Sequence, residues 1–225
     1  MITFRIPILG ERLWFPDPER SDPDGLLAAG GDLSAERLLL AYRSGIFPWT
    51  VDPITWWSPN PRAIFSLETF HVPQRLERLI RQKRFSLTFD RAFYEVMLGC
   101  SQPRSNGEET WITPEFIAAY FRLHQMGFAH SVEAWENDQL VGGVYGVTIG
   151  GLFAGESMFF RAPNASRIAL THLIRHLRTQ GFVLFDSQVI NPATRSCGAQ
   201  EIPRPEYLQR LKAAIALPVS FSSLG

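Results

Sequence analysis

Gly151-Leu-Phe-Ala-Gly-Glu-Ser-Met-Phe-Phe160 and Phe182-Val-Leu-Phe-Asp-Ser-Gln-Val-Ile190, with a helical stretch between them, decide the fold. Each is a short apolar run of the kind that forms a buried strand, and each carries one carboxylate, Glu156 and Asp186. An ionised carboxylate inside a core costs several kcal/mol unless something satisfies it, so both acids call for a reason. Between the runs, Asn164 stands where a helix cap belongs. Leu170, Leu173, Ile174 and Leu177 recur at helical spacing, and Gly181 sits at the usual stop position. Strand, helix, strand predicts a right-handed crossover with the two strands parallel in one sheet, bringing Glu156 and Asp186 toward a common crevice. Period-two alternation places Asp186 with Gln188 on one face and Glu156 with Met158 on one face. The alternative is two carboxylates satisfied by loop amides or by an arginine.

Outward from this unit the pattern is mixed. Strands are expected over residues 63–67, 85–89, 130–135 and 140–148, and helices over 73–83 and 91–98. A further helix is opened by Thr113-Pro-Glu115 and runs to Gly127. Asn137-Asp138 is a hairpin signal between the third and fourth of these strands. Helices, an antiparallel run, then strand, helix, strand is the element order of an acetyltransferase-like α/β fold. The sequence therefore predicts an α+β protein with a mixed sheet over residues 63–225. Residues 1–62 differ, with Pro, Asp and Gly turns at 15–33, a helix capped by Ser34 and stopped at Gly45, and then Trp49, Trp56 and Trp57 among prolines. They read as a small N-terminal subdomain whose three tryptophans face the main body.

Composition narrows the function classes. Lysine plus arginine total 22 and aspartate plus glutamate total 22, so no global charge points to nucleic acid or membrane as partner. No apolar run approaches a membrane span and no signal segment opens the chain, so a cytoplasmic protein is expected. Cys100 and Cys197 lack metal-ligand spacing, and neither a metal nor a cofactor is expected. Charge is nonetheless local. Arg75, Arg78, Arg81, Lys83, Arg84 and Arg91 stand against only Glu77 and Asp90 within residues 75–91. Arg75, Arg78 and Arg81 share a helix face that suits a phosphate backbone, or alternatively is an ordinary solvated face. Arg167, Arg175 and Arg178 form a weaker second candidate.

Gly30-Gly-Asp-Leu-Ser34, Gly45-Ile-Phe-Pro-Trp49, Trp56-Trp-Ser-Pro59 with Pro61-Arg62, Thr110-Trp-Ile-Thr113, Leu140-Val-Gly-Gly-Val-Tyr-Gly146, Gly155-Glu-Ser-Met-Phe159 and Asp186-Ser-Gln-Val189 occur in this order. In that order the chain resembles the leucyl/phenylalanyl-tRNA protein transferases over nearly its whole length. The resemblance implies an aminoacyltransferase that moves leucine or phenylalanine, and methionine less well, from charged tRNA to proteins beginning with arginine or lysine. The product carries an N-terminal degradation signal. It further implies that Asp186 and Gln188 form the reacting pair, with Asp186 either taking the proton or polarising Gln188. Glu156 holds an ammonium group, and Gly155 and Asn191 add substrate contacts. The apolar slot maps onto Trp49, Trp111, Val144, Phe153, Met158 and Leu177. Positions 144 and 177 often carry larger side chains in the family, and Thr50-Val-Asp-Pro53 departs from the usual segment. The basic set Arg75, Arg78, Arg81, Lys83 and Arg84 becomes the tRNA contact. Two other classes share these features. An acetyl-CoA dependent N-acetyltransferase needs a glycine-rich pyrophosphate turn that Arg161-Ala-Pro-Asn-Ala165 does not supply, and a noncatalytic tRNA- or N-terminus-binding module needs only the amine recognition.

Overall fold

A computed structural model describes residues 6–103 and 110–221. Two sheets organise the chain. The smaller contains β1 (Ile8–Leu9), β2 (Leu26–Gly30), β3 (Phe47–Val51) and β4 (Ile54–Trp57) in the order β1-β2-β4-β3. Helix α1 (Ala35–Arg43) lies between β2 and β3 in sequence. It begins where Ser34 accepts the Arg37 amide and is stopped at Gly45, whose φ of 75° is open to glycine without strain.

The larger sheet is mixed, as the sequence predicts. Its strands are β5 (Arg62–Phe65), β6 (Ser86–Phe89), β7 (Ala129–Glu136), β8 (Gln139–Ile149), β9 (Leu152–Phe160), β10 (Leu184–Gln188) and β11 (Gln200–Ile202), in the order β11-β5-β10-β9-β8-β7-β6. All neighbours are antiparallel except β9 and β10, which run parallel with Leu184 opposite Leu152 and Asp186 opposite Ala154. Asn137 and Asp138, with φ of 50° and 60°, make the tight turn between β7 and β8.

The crossover helix α5 (Ala165–Gln180) covers one face. Leu170, Leu173, Ile174 and Leu177 bury against Val144, Phe153 and Phe185, each worth about 1.5–3 kcal/mol of transfer energy. Gly181 ends it in the left-handed region as expected, whereas Asn164 departs from expectation. Its backbone is left-handed, with φ of 69°, and its side chain makes no capping hydrogen bond. The other face is covered by α7 (Arg204–Ile215) and by a cluster that joins α1, α3 (Phe93–Cys100), α4 (Pro114–Gln125) and the small sheet. Helix α2 (Gln74–Arg81) packs Leu76, Leu79 and Ile80 on the α5 side, and a short helix α6 (Pro192–Ser196) follows β10.

The three tryptophans do not share one orientation. Trp56 and Trp57 are consecutive in β4 and so point to opposite faces. Trp56 is fully buried, packs edge-on against Phe15 and donates to the Gly30 carbonyl at 2.9 Å. Trp57 packs on Trp49, which keeps 37% of its surface exposed.

Candidate active site

Parallel strands bring their carboxyl ends to one edge of the sheet, and here two irregularities interrupt them. In β9, Gly155 pairs with Gly146 and Ser157 with the adjacent Tyr145, so Glu156 is an extra residue, a β-bulge. In β10, Asp186 pairs with Ile64 and Gln188 with the adjacent Ala63, and Gln188 takes a φ of 56°. The β9 to β10 register stops at Ala154 and Asp186, although β9 continues to Phe160.

The bulge overturns the expectation that Glu156 and Met158 share a face. Phe153 and Met158 both pack on the α5 side, and Ala154 and Phe159 both pack on the opposite side, although each pair is an odd number of residues apart. Alternation is reversed at Glu156, whose carboxylate leaves the slot residues and turns toward α1 and α4. Tyr42 of α1 donates to Glu156 Oε1 at 2.8 Å and Tyr120 of α4 donates to Oε2 at 3.1 Å, while the two phenol oxygens lie 2.5 Å apart. Gln188 Nε2 donates to Glu156 Oε1 at 3.0 Å. Burial raises the Glu156 carboxyl to about 7, against hydrogen bonds from Tyr42 and Tyr120 that favour its ionised form.

Asp186 is built differently. Arg62 of β5 grips it through two parallel hydrogen bonds, Nε to Oδ1 at 2.8 Å and Nη2 to Oδ2 at 2.6 Å. Tyr207 of α7 donates to Oδ2 at 2.8 Å and the Gln188 amide donates to Oδ1 at 2.9 Å. Both members of the Arg62–Asp186 pair are 1% exposed. The same guanidinium donates to the Gly45 carbonyl at 3.0 Å and lies over the Phe47 and Tyr207 rings at 4.9 and 4.4 Å. Burial alone would lower the Arg62 pKa; the Asp186 charge outweighs it and holds Arg62 ionised. Gln188 therefore stands between the two acids, anchored by its backbone to Asp186 and reaching with its side chain to Glu156.

The remaining expected residues are divided. Val144, Phe153 and Leu177 are buried together on the α5 side with half-buried Met158, and Val144 pairs across the strands with Met158. A side chain at Gly155 would meet the Phe185 ring at 2.6 Å, which is why glycine stands beside the acid. Trp111 packs edge-on against Phe116 in the opposite cluster, and Trp49 lies against Trp57 and Phe47. Asn191 is exposed and accepts the Thr194 amide at 2.9 Å, so its carbonyl oxygen caps α6. Arg75, Arg78, Arg81, Lys83 and Arg84 are all exposed, but Arg84 is held by Glu136 at 2.6 Å, whereas Glu77 pairs with Arg175 of α5.

Residues 64–212 match the family described as Leucyl/phenylalanyl-tRNA protein transferase, and residues 31–60 match the N-terminal domain of the same family. The chain belongs to this family. It is 52% identical to the leucyl/phenylalanyl-tRNA–protein transferase of Magnetococcus marinus, over 91% of this chain and 90% of that one. It is 51% identical to that of Desulfatibacillum aliphaticivorans, over 93% and 91%. Among solved structures, that of L-PGS from Bacillus licheniformis superposes over 81% of this chain and 70% of that one with a TM-score of 0.42 at 13% identity, a likeness too distant to bear on the site.

Within the transferase family framework, Tyr42, Tyr120 and Tyr207 are the site residues that sequence reading misses, because buried tyrosines at helical spacing look like ordinary core. Arg62 was visible only as part of a motif. Among the described residues no group of three or more His, Cys, Asp and Glu side chains is placed to hold a metal ion, and no helix is long and apolar enough to cross a membrane.

Proposed function

We propose that the protein moves leucine, phenylalanine or, less well, methionine from aminoacyl-tRNA to the α-amino group of proteins beginning with arginine or lysine, creating a degradation signal. Family membership over nearly the whole chain is the observation that carries this reading. The aminoacyl ester is already activated, so the protein has only to position its carbonyl, receive the amine and stabilise the developing oxyanion. Half-buried Met158 offers apolar surface beside Glu156 for the transferred side chain, backed by the buried Val144, Phe153 and Leu177, and Trp49 and Trp111 are the aromatic side chains assigned to the same slot. A slot of this kind separates side chains differing by one methylene by only about 1–3 kcal/mol, which fits tolerance of Leu, Phe and Met. Glu156 receives the amine and Gln188 aligns it. Asp186 acts on Gln188 through the backbone, since four donors fill the four acceptor positions of its carboxylate.

Purified protein mixed with radiolabelled Phe-tRNA should label a peptide beginning with arginine and leave a peptide beginning with alanine unlabelled. Absence of transfer from Phe-, Leu- and Met-tRNA alike would sink the reading.

The exposed face of α2 is the tRNA contact in this proposal, and Arg75, Arg78 and Arg81 are its unpaired members among the described residues. Replacing all three with alanine should weaken tRNA binding and flatten the log Kd against log salt slope by about 2–3, one released counterion per contact. An unchanged slope places the tRNA elsewhere.

A further inference from the structure

The crevice holds two carboxylates, and counting hydrogens separates their roles. Asp186 Oδ1 and Oδ2 each accept two hydrogen bonds, so nothing remains to receive a proton from a substrate, and the group is 1% exposed. Glu156 is partly exposed, and among the described residues Oε2 accepts one hydrogen bond, from Tyr120, where a carboxylate oxygen can accept two. The tyrosine ring around it can also take up a proton without losing a contact, although its hydrogen bonds favour the ion. Three close oxygen contacts, Tyr42 to Tyr120, Tyr42 to Oε1 and Tyr120 to Oε2, are served by two phenol hydrogens while Glu156 is ionised. A proton on Glu156 supplies the third. Oε2 then donates to Tyr120, Tyr120 to Tyr42, and Tyr42 to Oε1, so every contact in the ring has its hydrogen.

We propose that Glu156 is the proton acceptor of the transfer reaction, with Tyr42 and Tyr120 as the residues that position its carboxylate, and that Asp186 serves only to fix Gln188. The inference rests on the aminoacyl-transfer reading. In the step, the neutral α-amine forms the C–N bond at the ester carbonyl and gives one N–H proton to Glu156 Oε2. The ester C–O bond breaks, and the ribose oxygen leaving on the tRNA takes that proton from Glu156. The product is an amide and a free ribose hydroxyl, and the carboxylate is regenerated. The groups that set the acidity of Glu156 are Tyr42 of α1, Tyr120 of α4, Tyr145 of β8, Asp186 and Gln188 of β10, and Arg62 of β5. Burial raises it and the tyrosine hydrogen bonds lower it, so the group titrates near the pH at which a general base works best.

The test is single-turnover transfer from Phe-tRNA to an arginine peptide as a function of pH, for the unaltered protein and for Glu156→Gln, Tyr120→Phe and Asp186→Asn. The peptide amine titrates at about 7.7–8.0 in every case and serves as an internal reference. Glu156→Gln should lower the transfer rate at saturating peptide about 10²–10⁴-fold and leave only the amine limb. Tyr120→Phe removes a hydrogen bond that favours the ion, so the enzyme limb should move to higher pH, a shift that a purely structural role does not produce. Asp186→Asn should slow transfer and keep that limb, moved to lower pH because a neighbouring negative charge is gone. The inference fails if Glu156→Gln raises only the peptide KM, if the enzyme limb survives Glu156→Gln, or if Asp186→Asn removes it. Should Glu156→Gln not fold, the direction of the Tyr120→Phe shift decides. An unaltered protein that transfers nothing defeats the aminoacyl-transfer reading itself; an active one whose limb ignores Glu156 and Tyr120 defeats only this assignment.

Discussion

Replacing Arg62 with methionine is expected to lower the unfolding free energy by about 3–5 kcal/mol. Methionine fills much of the guanidinium's volume and can still lie between Phe47 and Tyr207. It leaves Asp186 buried with only Tyr207 and the Gln188 amide as partners, so the cost is that of an uncompensated buried charge rather than of lost packing. Urea unfolding at pH 7 measures it. The double change Arg62→Met with Asp186→Asn should recover a substantial part of the loss, since it removes the orphaned charge as well. A single-variant loss below about 1 kcal/mol would show that Asp186 is not left as an uncompensated buried charge.

The second large effect is a pH dependence of stability tied to one side chain. An ordinary glutamate titrates at about 4.5 and Glu156 at about 7 in the folded protein. The native state therefore binds more protons than the unfolded chain between these values. Its contribution is complete below about pH 4.5, declines through pH 7 and is gone above it. Each unit of separation is worth about 1.4 kcal/mol, so the partly exposed carboxylate accounts for up to about 3 kcal/mol. The unfolding free energy of the unaltered protein minus that of Glu156→Gln, followed by urea titration from pH 4 to pH 8, should fall by this amount. A flat difference, or one that rises with pH, would contradict the environment described for Glu156.

Much of this architecture was legible in the residues. The two apolar runs and the leucine spacing between them led to parallel β9 and β10 with α5 crossing over them, and the alternative of an arginine satisfying a buried acid describes Asp186 well. What could not be read is of two kinds. Arg62 and Asp186 are 124 residues apart, and Tyr42 and Glu156 are 114 apart; no local pattern announces such pairings. The bulge, by contrast, left a trace that period-two counting passes over. Gly146 and Gly155 face each other at the irregularity, and an isolated glycine inside a strand pattern marks a bulge or a close approach. A side chain at Gly146 would meet the Ala154 carbonyl oxygen at 2.3 Å, so the irregular ladder leaves no room for one there.

That extra residue in β9 returns Met158 to the side of Phe153, where plain alternation would have set it with Glu156. Phe153 and Met158, on either side of the irregularity, line the α5 side, and Glu156 between them faces the tyrosines. In the proposed reaction, the residues assigned to the travelling side chain and the acid assigned to the incoming amine are thus near neighbours in one strand that face opposite sides of the sheet. Substitutions at 153 or 158 change the packing on the α5 side without touching the ring of Tyr42, Tyr120 and Glu156. Deleting the extra residue would restore plain alternation from Phe153 to Phe159, leaving Met158 and Phe159 on their present sides and putting Ser157 where the acid now faces the tyrosines.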